Sequence, residues 1–579
     1  MYKKLFMTAA VMAACIQTNA QTLATDFKGA SNKNPISSCI FCADPTALEY
    51  NGRLYVYGSN DHQEFIANGK KGDNSYGNIK SIVVFSTADM VNWTFHGTID
   101  TKKLCSNWNP NKWWHGYGVS WAPSVTWRHN EETGKDEFFL YFCNSSHGVG
   151  VLKAESPIGP WSSPNRELMI TYDTPGANPQ GTYANFDPGV VIDDNGVGWI
   201  AFGGLGPSEI MPKAARIIKL KPSMTEVDGS AVTIPAPYHF EANELNVIGG
   251  KYVYTYCSNW AERKNTEWNN YKSTHGISAN APGGGTMCYM VSDNPMDPNS
   301  WVYKDYYGPG VAGNNHSHLQ KFKGEYYHIY HNHGSILLDA MKKAGAVDAS
   351  AGDYRSICIN KATVNESTAT ISPVTLNTTG PSYVGDLNPY ELQQAETMGN
   401  SGGINYEDFT NIQKNTSISA LGNDASRNLQ VKMKEGSWIN QKRVDFGETG
   451  ADRFTLRAKG TGTLEIRLGA KSLKTVATVN FSSTAMEEQT IEIDASQFKG
   501  IKSVYFVATA ANNFYVDAWQ FTEQGATGIQ ELKANSQKPK ANSQQPKANS
   551  QTYDLSGRRV SDNQQHHGII IKNGKKIWH

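Results

Sequence analysis

The chain has no excess of either charge: 53 Lys and Arg stand against 53 Asp and Glu in 579 residues. That balance gives no electrostatic reason to expect a nucleic acid or an anionic membrane as partner. Beyond the first twenty residues no apolar run is long enough to cross a bilayer. Cysteine is sparse, with eight residues at 15, 39, 42, 105, 143, 257, 288 and 358. Their spacing fits neither a disulfide framework nor a zinc site. Cys39 and Cys42 have redox spacing, but small buried hydrophobes beside a strand are the plainer reading. Sustained helical periodicity is lacking too. What is plentiful is aromatic residues, at 11%, and glycine, with 53 copies. That mix suits β hairpins and aromatic-lined clefts.

Residues 1–20 read MYKKLFMTAAVMAACIQTNA. Two lysines precede a short apolar stretch that ends in small residues, which reads as a signal peptide. Lipoprotein processing at Cys15 is the alternative. The expected location is secreted or cell-surface, with the periplasm in transit.

Residues 43–60 read ADPTALEYNGRLYVYGSN: an apolar strand, an Asn-Gly turn and an aromatic strand, with Asp44 in front. The pattern returns at 122–142, 187–204, 241–257 and 316–331. Each turn carries glycine, as tight hairpins require. Asp44 lies eight residues before Gly52, Asp187 nine before Gly196, Glu241 eight before Gly249 and His316 eight before Gly324. Ala122 takes the same place eight residues before Asn130. The anchors are 78, 65, 54 and 75 residues apart, enough in each interval for one four-stranded sheet and its loops. Repeats of this size without helices predict a five-bladed β-propeller. In such a ring the starts of the inner strands meet at one end of the axis. Asp44, Asp187, Glu241 and His316 are therefore expected to converge. Surface carboxylates before turns are common, but three acids and a histidine at five equivalent places point to a site.

Crowded carboxylates repel, so one keeps its proton while another stays ionised. Glycoside hydrolysis needs that division. Aromatic residues crowd the connecting loops: Trp108, Trp113, Trp114, Tyr117, Trp121 and Trp260. Sugar rings stack apolar faces on such planes, and Trp121 beside Ala122 reads as cleft floor; core packing is the other reading for the rest.

The ordered set ADPT, SWAPSV, NFDPGV, HFEANE and GNNHSH resembles glycoside hydrolase family 43 over residues 33–376. The resemblance implies a five-bladed propeller that acts on arabinose- and xylose-containing polymers with inversion. By position, Asp44 would be the general base, Glu241 the general acid, and Asp187 the group that orients the acid and raises its pKa. Glu244 competes for the acid's role but sits three residues off the shared offset. His316 matches a family position near an axial calcium ion; on its own residue type it reads as a structural hydrogen bonder. Arg355 in DYRSICIN matches an arginine that reaches the bound sugar, with a surface arginine as the alternative.

From about 386 the texture changes to short alternating strands with regular turns, which predicts a β-sandwich of jelly-roll type. Residues 386–523 form this domain, and 388–523 resemble carbohydrate-binding module family 6. That resemblance makes Glu396 and Asp517 ligands of a structural calcium ion. The loop SSTAMEEQT lacks the family's tryptophan, and Tyr515 stands where an asparagine is usual. Weak xylan binding, binding by another face, and a bracing role all stay open. Trp438 is expected in the core. Residues 524–551 read as a flexible linker, with KANSQ three times in 533–551. The tail 552–579 resembles a type IX secretion sorting signal.

The expected protein is all-β, a five-bladed propeller followed by a sandwich. Its expected activity is that of an inverting exo-glycosidase that removes α-L-arabinofuranosyl groups from arabinoxylan or its oligosaccharides. β-Xylosidase activity, alone or in addition, is the rival within the class. A non-catalytic sugar-binding propeller is the rival outside it. No cofactor is needed for the chemistry; calcium enters only as a structural ion.

Overall fold

The structure is a computed structural model. It describes residues 26–30, 33–69, 72–108, 118–178, 184–311, 313–332, 335–343, 345, 347–411 and 429–526, with short strands between 552 and 578. The segment 1–20 with Cys15, the side chains of Trp113, Trp114 and Tyr117, and the repeat at 533–551 lie outside these residues.

Five antiparallel sheets follow one another along the chain, each a simple meander. The first holds β1 (Ala43–Tyr50), β2 (Arg53–Ser59), β3 (Ile82–Thr87) and β4 (Trp93–Ile99). The second holds β5 (Trp121–Asn130), β6 (Lys135–Cys143) and β7 (Val149–Ala154). The third holds β8 (Gly189–Ile192), β9 (Gly198–Phe202), β10 (Arg216–Leu220) and β11 (Val227–Thr233). The fourth holds β12 (His239–Ile248), β13 (Lys251–Ser258), β14 (Met287–Ser292) and β15 (Val302–Gly308). The fifth holds β16 (Ser317–Phe322), β17 (Glu325–Asn332) and β18 (Ser356–Ala362). A short helix, α1 (Asp61–Ala67), leaves the first blade after β2. Three inner hairpins turn on residue pairs that both have positive φ: Asn51-Gly52, Gly249-Gly250 and Lys323-Gly324. That geometry matches the twist of the flanking strands.

The ring closes through apolar contacts between neighbouring blades. Tyr57 and Val84 meet Val125 and Leu140 between blades one and two. Phe139 and Tyr141 meet Val190 and Ile200 between blades two and three. Ile217 meets Tyr254 and Met290 between three and four, and Met287 meets Leu319 between four and five. Ile329 and Ile357 of blade five meet Leu54 and Val56 of blade one. The N-terminal segment runs along β18 and fastens the closure: Ile36 N donates to Ile357 O at 2.9 Å, and Cys42 N to Arg355 O at 2.9 Å.

The β-sandwich follows in the same compact unit. Its long strands Ala451–Leu468, Thr475–Glu492 and Ile501–Glu523 pair in sequence-distant order around a core that includes Phe454, Phe506, Trp519 and Phe521. Thr397 and Met398 extend blade one by pairing with Thr94 and Trp93 of β4. Phe27 packs against Phe95 of blade one and Phe409 of the sandwich, with ring centroids 6.1 and 5.0 Å away. Trp438 is not a core residue: it is half-buried, its ring tilted against Tyr505 at 5.5 Å beneath Lys471. It is paired on both sides, to Gly402 and Val507, on an internal strand of the sheet. The seven cysteines in the described region are all free and buried. A separate unit, Glu531–His579, contains a small four-stranded sheet built from residues 552–578. Among the described residues no helix is long and apolar enough to cross a membrane.

Phe27 is fully buried between the two domains. Phe27→Ala should therefore cost about 3–5 kcal/mol. Urea unfolding should show this as a lower midpoint. A midpoint equal to wild type would show that this packing does not couple the domains.

Candidate active site

The inner strands of blades one, two and four begin with the same distortion. Pairing runs Ala43↔Ser59 then Thr46↔Tyr57, Trp121↔Cys143 then Ser124↔Tyr141, and Glu241↔Cys257 then Glu244↔Thr255. In each, three residues on the inner strand span two on its partner, the signature of a β-bulge. The residue after the first pair is left-handed: Asp44 at φ 49°, Ala122 at 40° and Ala242 at 63°, with Asp187 at 48° before β8. This register corrects the sequence alignment of the repeats. The equivalent of Asp44 is Ala242, and Glu241 is equivalent to Ala43 and Trp121. Counting back from Gly249 missed this because Gly250, the second residue of that two-residue turn, is the counterpart of Gly52.

Despite that shift, Asp44, Asp187, Glu241, His316, Trp121 and Arg355 all line one cavity of about 140 Å³. Tyr76, Phe186 and Asn314 complete its wall. At about 30 Å³ per water, the space holds a few waters or one sugar ring. Glu244 lies elsewhere: it is fully buried, 3.2 Å from His318 Nδ1, and is not part of the cavity wall.

Arg355 organises the charge. Its Nε and Nη2 donate to the two oxygens of Asp61, each at 2.8 Å, and its backbone N donates to Asp61 Oδ2 at 2.9 Å. Its Nη1 donates to Asp44 Oδ1 at 2.8 Å. Asp44 Oδ2 accepts from Ser59 Oγ at 2.6 Å. The Asp44 amide donates to His331 Nδ1 at 3.0 Å, which leaves that ring's proton on Nε2, 3.4 Å from Asn314 O. Burial pushes the Asp44 carboxyl up, but Arg355, His331 and His316 together outweigh it and hold the pKa well below the usual carboxylate range.

The other two carboxyls move the opposite way. Burial, then the charges of Asp187 and Asp44, push Glu241 well above its ordinary value. Its Oε1 is buried without a hydrogen-bond partner. Burial and the Asp44 charge raise Asp187, while the Ala242 amide draws it back. That amide donates to Asp187 Oδ2 at 2.9 Å, and Asn243 Nδ2 donates to the Asp187 carbonyl at 2.8 Å. Asp187 is thus tied to the backbone that carries Glu241. His316 Nδ1 stands 3.9 Å from both Asp44 Oδ1 and Asp187 Oδ2, and burial lowers its pKa to about 3.

The aromatic expectations divide. Trp121 is half-buried at the cavity, with Nε1 donating to Tyr76 O at 3.0 Å. Trp108 is core, and its Nε1 donates to Ser163 Oγ at 2.6 Å. Trp260 is 41% exposed and packs edge-on against Phe240. Asp61, Tyr76 and Asn314 were not legible in advance: all three lie off the repeated hairpins.

In the sandwich, Glu396 is buried with both carboxylate oxygens unpartnered, as is Gln394 Oε1. Asp517 is fully buried and accepts from Arg457 at 2.6 Å. Among the described residues, no group of three or more His, Cys, Asp or Glu is arranged to hold a metal ion. A separate surface groove is lined by Thr461, Ser482, Asn512 and Tyr515.

A pocket at the axis of a five-bladed propeller, with one carboxyl pushed below its ordinary pKa and another pushed above it, defines a glycoside hydrolase. The chain belongs to glycosyl hydrolases family 43, whose family model matches residues 32–366. A carbohydrate binding module (family 6) model matches residues 394–523. An arabinoxylan arabinofuranohydrolase of Bacillus subtilis (strain 168) is 38% identical over 530 residues, 87% of this chain and 95% of that one. One from Paenibacillus polymyxa is 36% identical over 535 residues, 88% of this chain and 77% of that one. The crystal structure of a Bacillus subtilis family 43 arabinoxylan arabinofuranohydrolase in complex with cellotetraose superposes with a TM-score of 0.71 at 35% identity, covering 85% of this chain and 97% of that one.

Arg355→Met removes the cation that holds Asp44 low, so burial then dominates and the pKa of Asp44 rises. A carboxyl carbon NMR titration of aspartate-labelled protein should show Asp44 and Asp61, the two carboxylates bonded to Arg355, both move upward in the variant. An Asp44 curve unchanged by the substitution would contradict the electrostatic account.

Proposed function

We propose that the protein is an inverting exo-glycosidase that removes α-L-arabinofuranosyl groups from arabinoxylan or its oligosaccharides. The observation that carries this reading is the small cavity that Asp44, Asp187 and Glu241 share, where Asp44 is pushed below and Glu241 above its ordinary pKa. The arabinoxylan specificity named for the two relatives supports the substrate class. A cavity of one-sugar size favours removal of terminal groups over cleavage within a chain.

In this mechanism Asp44 takes a proton from a water beneath the anomeric carbon. That water attacks while Glu241 gives its proton to the departing glycosidic oxygen. Asp187 holds the acid's backbone through the Ala242 amide, and its own charge helps keep Glu241 protonated. Arg355 keeps Asp44 ionised and presents a guanidinium edge to the sugar. Asp44 and Glu241 stand on blades one and four, separated by a whole blade, which suits the wider spacing of an inverting pair.

Calcium is proposed as a structural ion only. Glu396, Asp517 and the Gln394 amide oxygen bring acceptors together, and three of those oxygens have no hydrogen-bond partner, which fits a hard cation. At His316 the support is one buried, unpartnered Nε2. When bound, the ion would neutralise buried carboxylates and brace the fold.

Asp44→Asn and Glu241→Gln should each lower kcat/KM by on the order of 100- to 10,000-fold. The assay uses nitrophenyl α-L-arabinofuranoside and nitrophenyl β-xyloside, with the first-formed anomer read by proton NMR. Release of xylose alone, or a retained anomer, would overturn the proposal; retained sugar binding without any turnover would favour a binding propeller. For calcium, a chelator should lower the melting temperature, calcium should restore it, and Glu396→Gln should abolish the difference. A melting temperature indifferent to chelator would remove the sandwich ion.

A further inference from the structure

The cavity wall contributed by Tyr76 stands on a loop with few apolar anchors, and a buried carboxylate supports that loop. Glu64 lies on α1, one turn after Asp61, and is fully buried. Its Oε1 accepts from Ser75 N at 3.2 Å, Ser75 Oγ at 2.5 Å and Asn68 Nδ2 at 3.1 Å. Its Oε2 accepts from Asn78 N at 2.6 Å. The neighbouring Gln63 fixes the loop's far end by accepting from Lys80 N at 3.0 Å and Ser81 Oγ at 2.8 Å. Between these fastenings Tyr76 is held left-handed at φ 63°, a conformation costly for a bulky residue.

Tyr76 in that position touches three members of the pocket. Its ring centroid lies 5.0 Å from the Arg355 guanidinium carbon. Its hydroxyl accepts from Asn314 Nδ2 at 3.2 Å, and its carbonyl accepts from Trp121 Nε1 at 3.0 Å. We infer that Glu64 is a positioning residue for the active site, acting through the 74–80 loop to hold Tyr76 against Arg355 and Trp121. One helical turn then serves the pocket twice: Asp61 fixes Arg355, and Glu64 fixes the ring packed on it. Glu64 touches no substrate. The inference uses the reaction proposed above only for its kinetic readout.

The test combines a double-mutant cycle with amide hydrogen exchange on the full chain. Glu64→Gln keeps the size of the side chain but presents an amide nitrogen to one of the loop donors. With nitrophenyl α-L-arabinofuranoside, E64Q and Y76A should each lower kcat/KM by about ten- to a hundred-fold, as small displacements in a pocket do. The double variant should be within about two-fold of Y76A, because residues acting through one another are not additive. Exchange at Ser75 and Asn78 should speed up in E64Q, and in E64D if E64Q does not fold. Losses that multiply in the double variant, or E64Q kinetics equal to wild type, would overturn the inference. If wild type turns over no arabinofuranoside, the proposed reaction fails and exchange alone decides: unchanged protection at Ser75 and Asn78 refutes the positioning, and faster exchange supports it.

Discussion

A single buried guanidinium sets the proton balance of the pocket. Arg355 is almost fully buried and is the one cation bonded to both Asp61 and Asp44. Removing one partner of such a network leaves an uncompensated buried charge, which costs about 3–5 kcal/mol. The two ionised aspartates already exceed the positive charge of the arginine. A further ionised carboxyl would add repulsion where little water is present to screen it. Burial first, and then the neighbouring carboxylate charges, push Glu241 well above its ordinary value, and Asp187 moves in the same direction.

The backbone makes that placement repeatable. A bulge at the start of the inner strands of blades one, two and four turns successive side chains toward the axis, so the ring can deliver Asp44, Trp121 and Glu241 from three blades to one hollow. Left-handed aspartate is tolerated because its short polar side chain can hydrogen-bond locally. Alanine at 122 and 242 has no such compensation and is held there by the closed ring.

This architecture explains which features were legible in the sequence. Hairpins announce themselves locally, through Asn51-Gly52 or Gly249-Gly250, so the five blades and the jelly-roll that follows could be read directly. Convergence of Asp44, Asp187 and Glu241 followed from the ring. The exact equivalence did not: two adjacent glycines form the turn at 249–250, and counting from the first instead of the second moves Glu241 off the place of Trp121 onto that of Asp44. Asp61, Glu64 and Tyr76 belong to a helical excursion between β2 and β3, outside the repeated hairpin. Their value depends on Arg355, almost 300 residues away, and such a contact leaves no local pattern. Trp438 failed as a core residue for a related reason, because a strand's alternation does not tell which of the two faces of the sheet lies toward water.

The central claim is that Glu241 carries a proton at neutral pH while Asp44 does not. Infrared difference spectra between wild type and each of Glu241→Gln and Asp44→Asn, recorded near pH 7, read this directly. The account predicts that the Glu241 substitution removes a protonated-carboxyl band, and that the Asp44 substitution, by removing a charge that raises Asp187 and Glu241, removes ionised-carboxylate intensity and shifts its neighbours toward ionisation. A Glu241 substitution that removes no protonated-carboxyl band would contradict it.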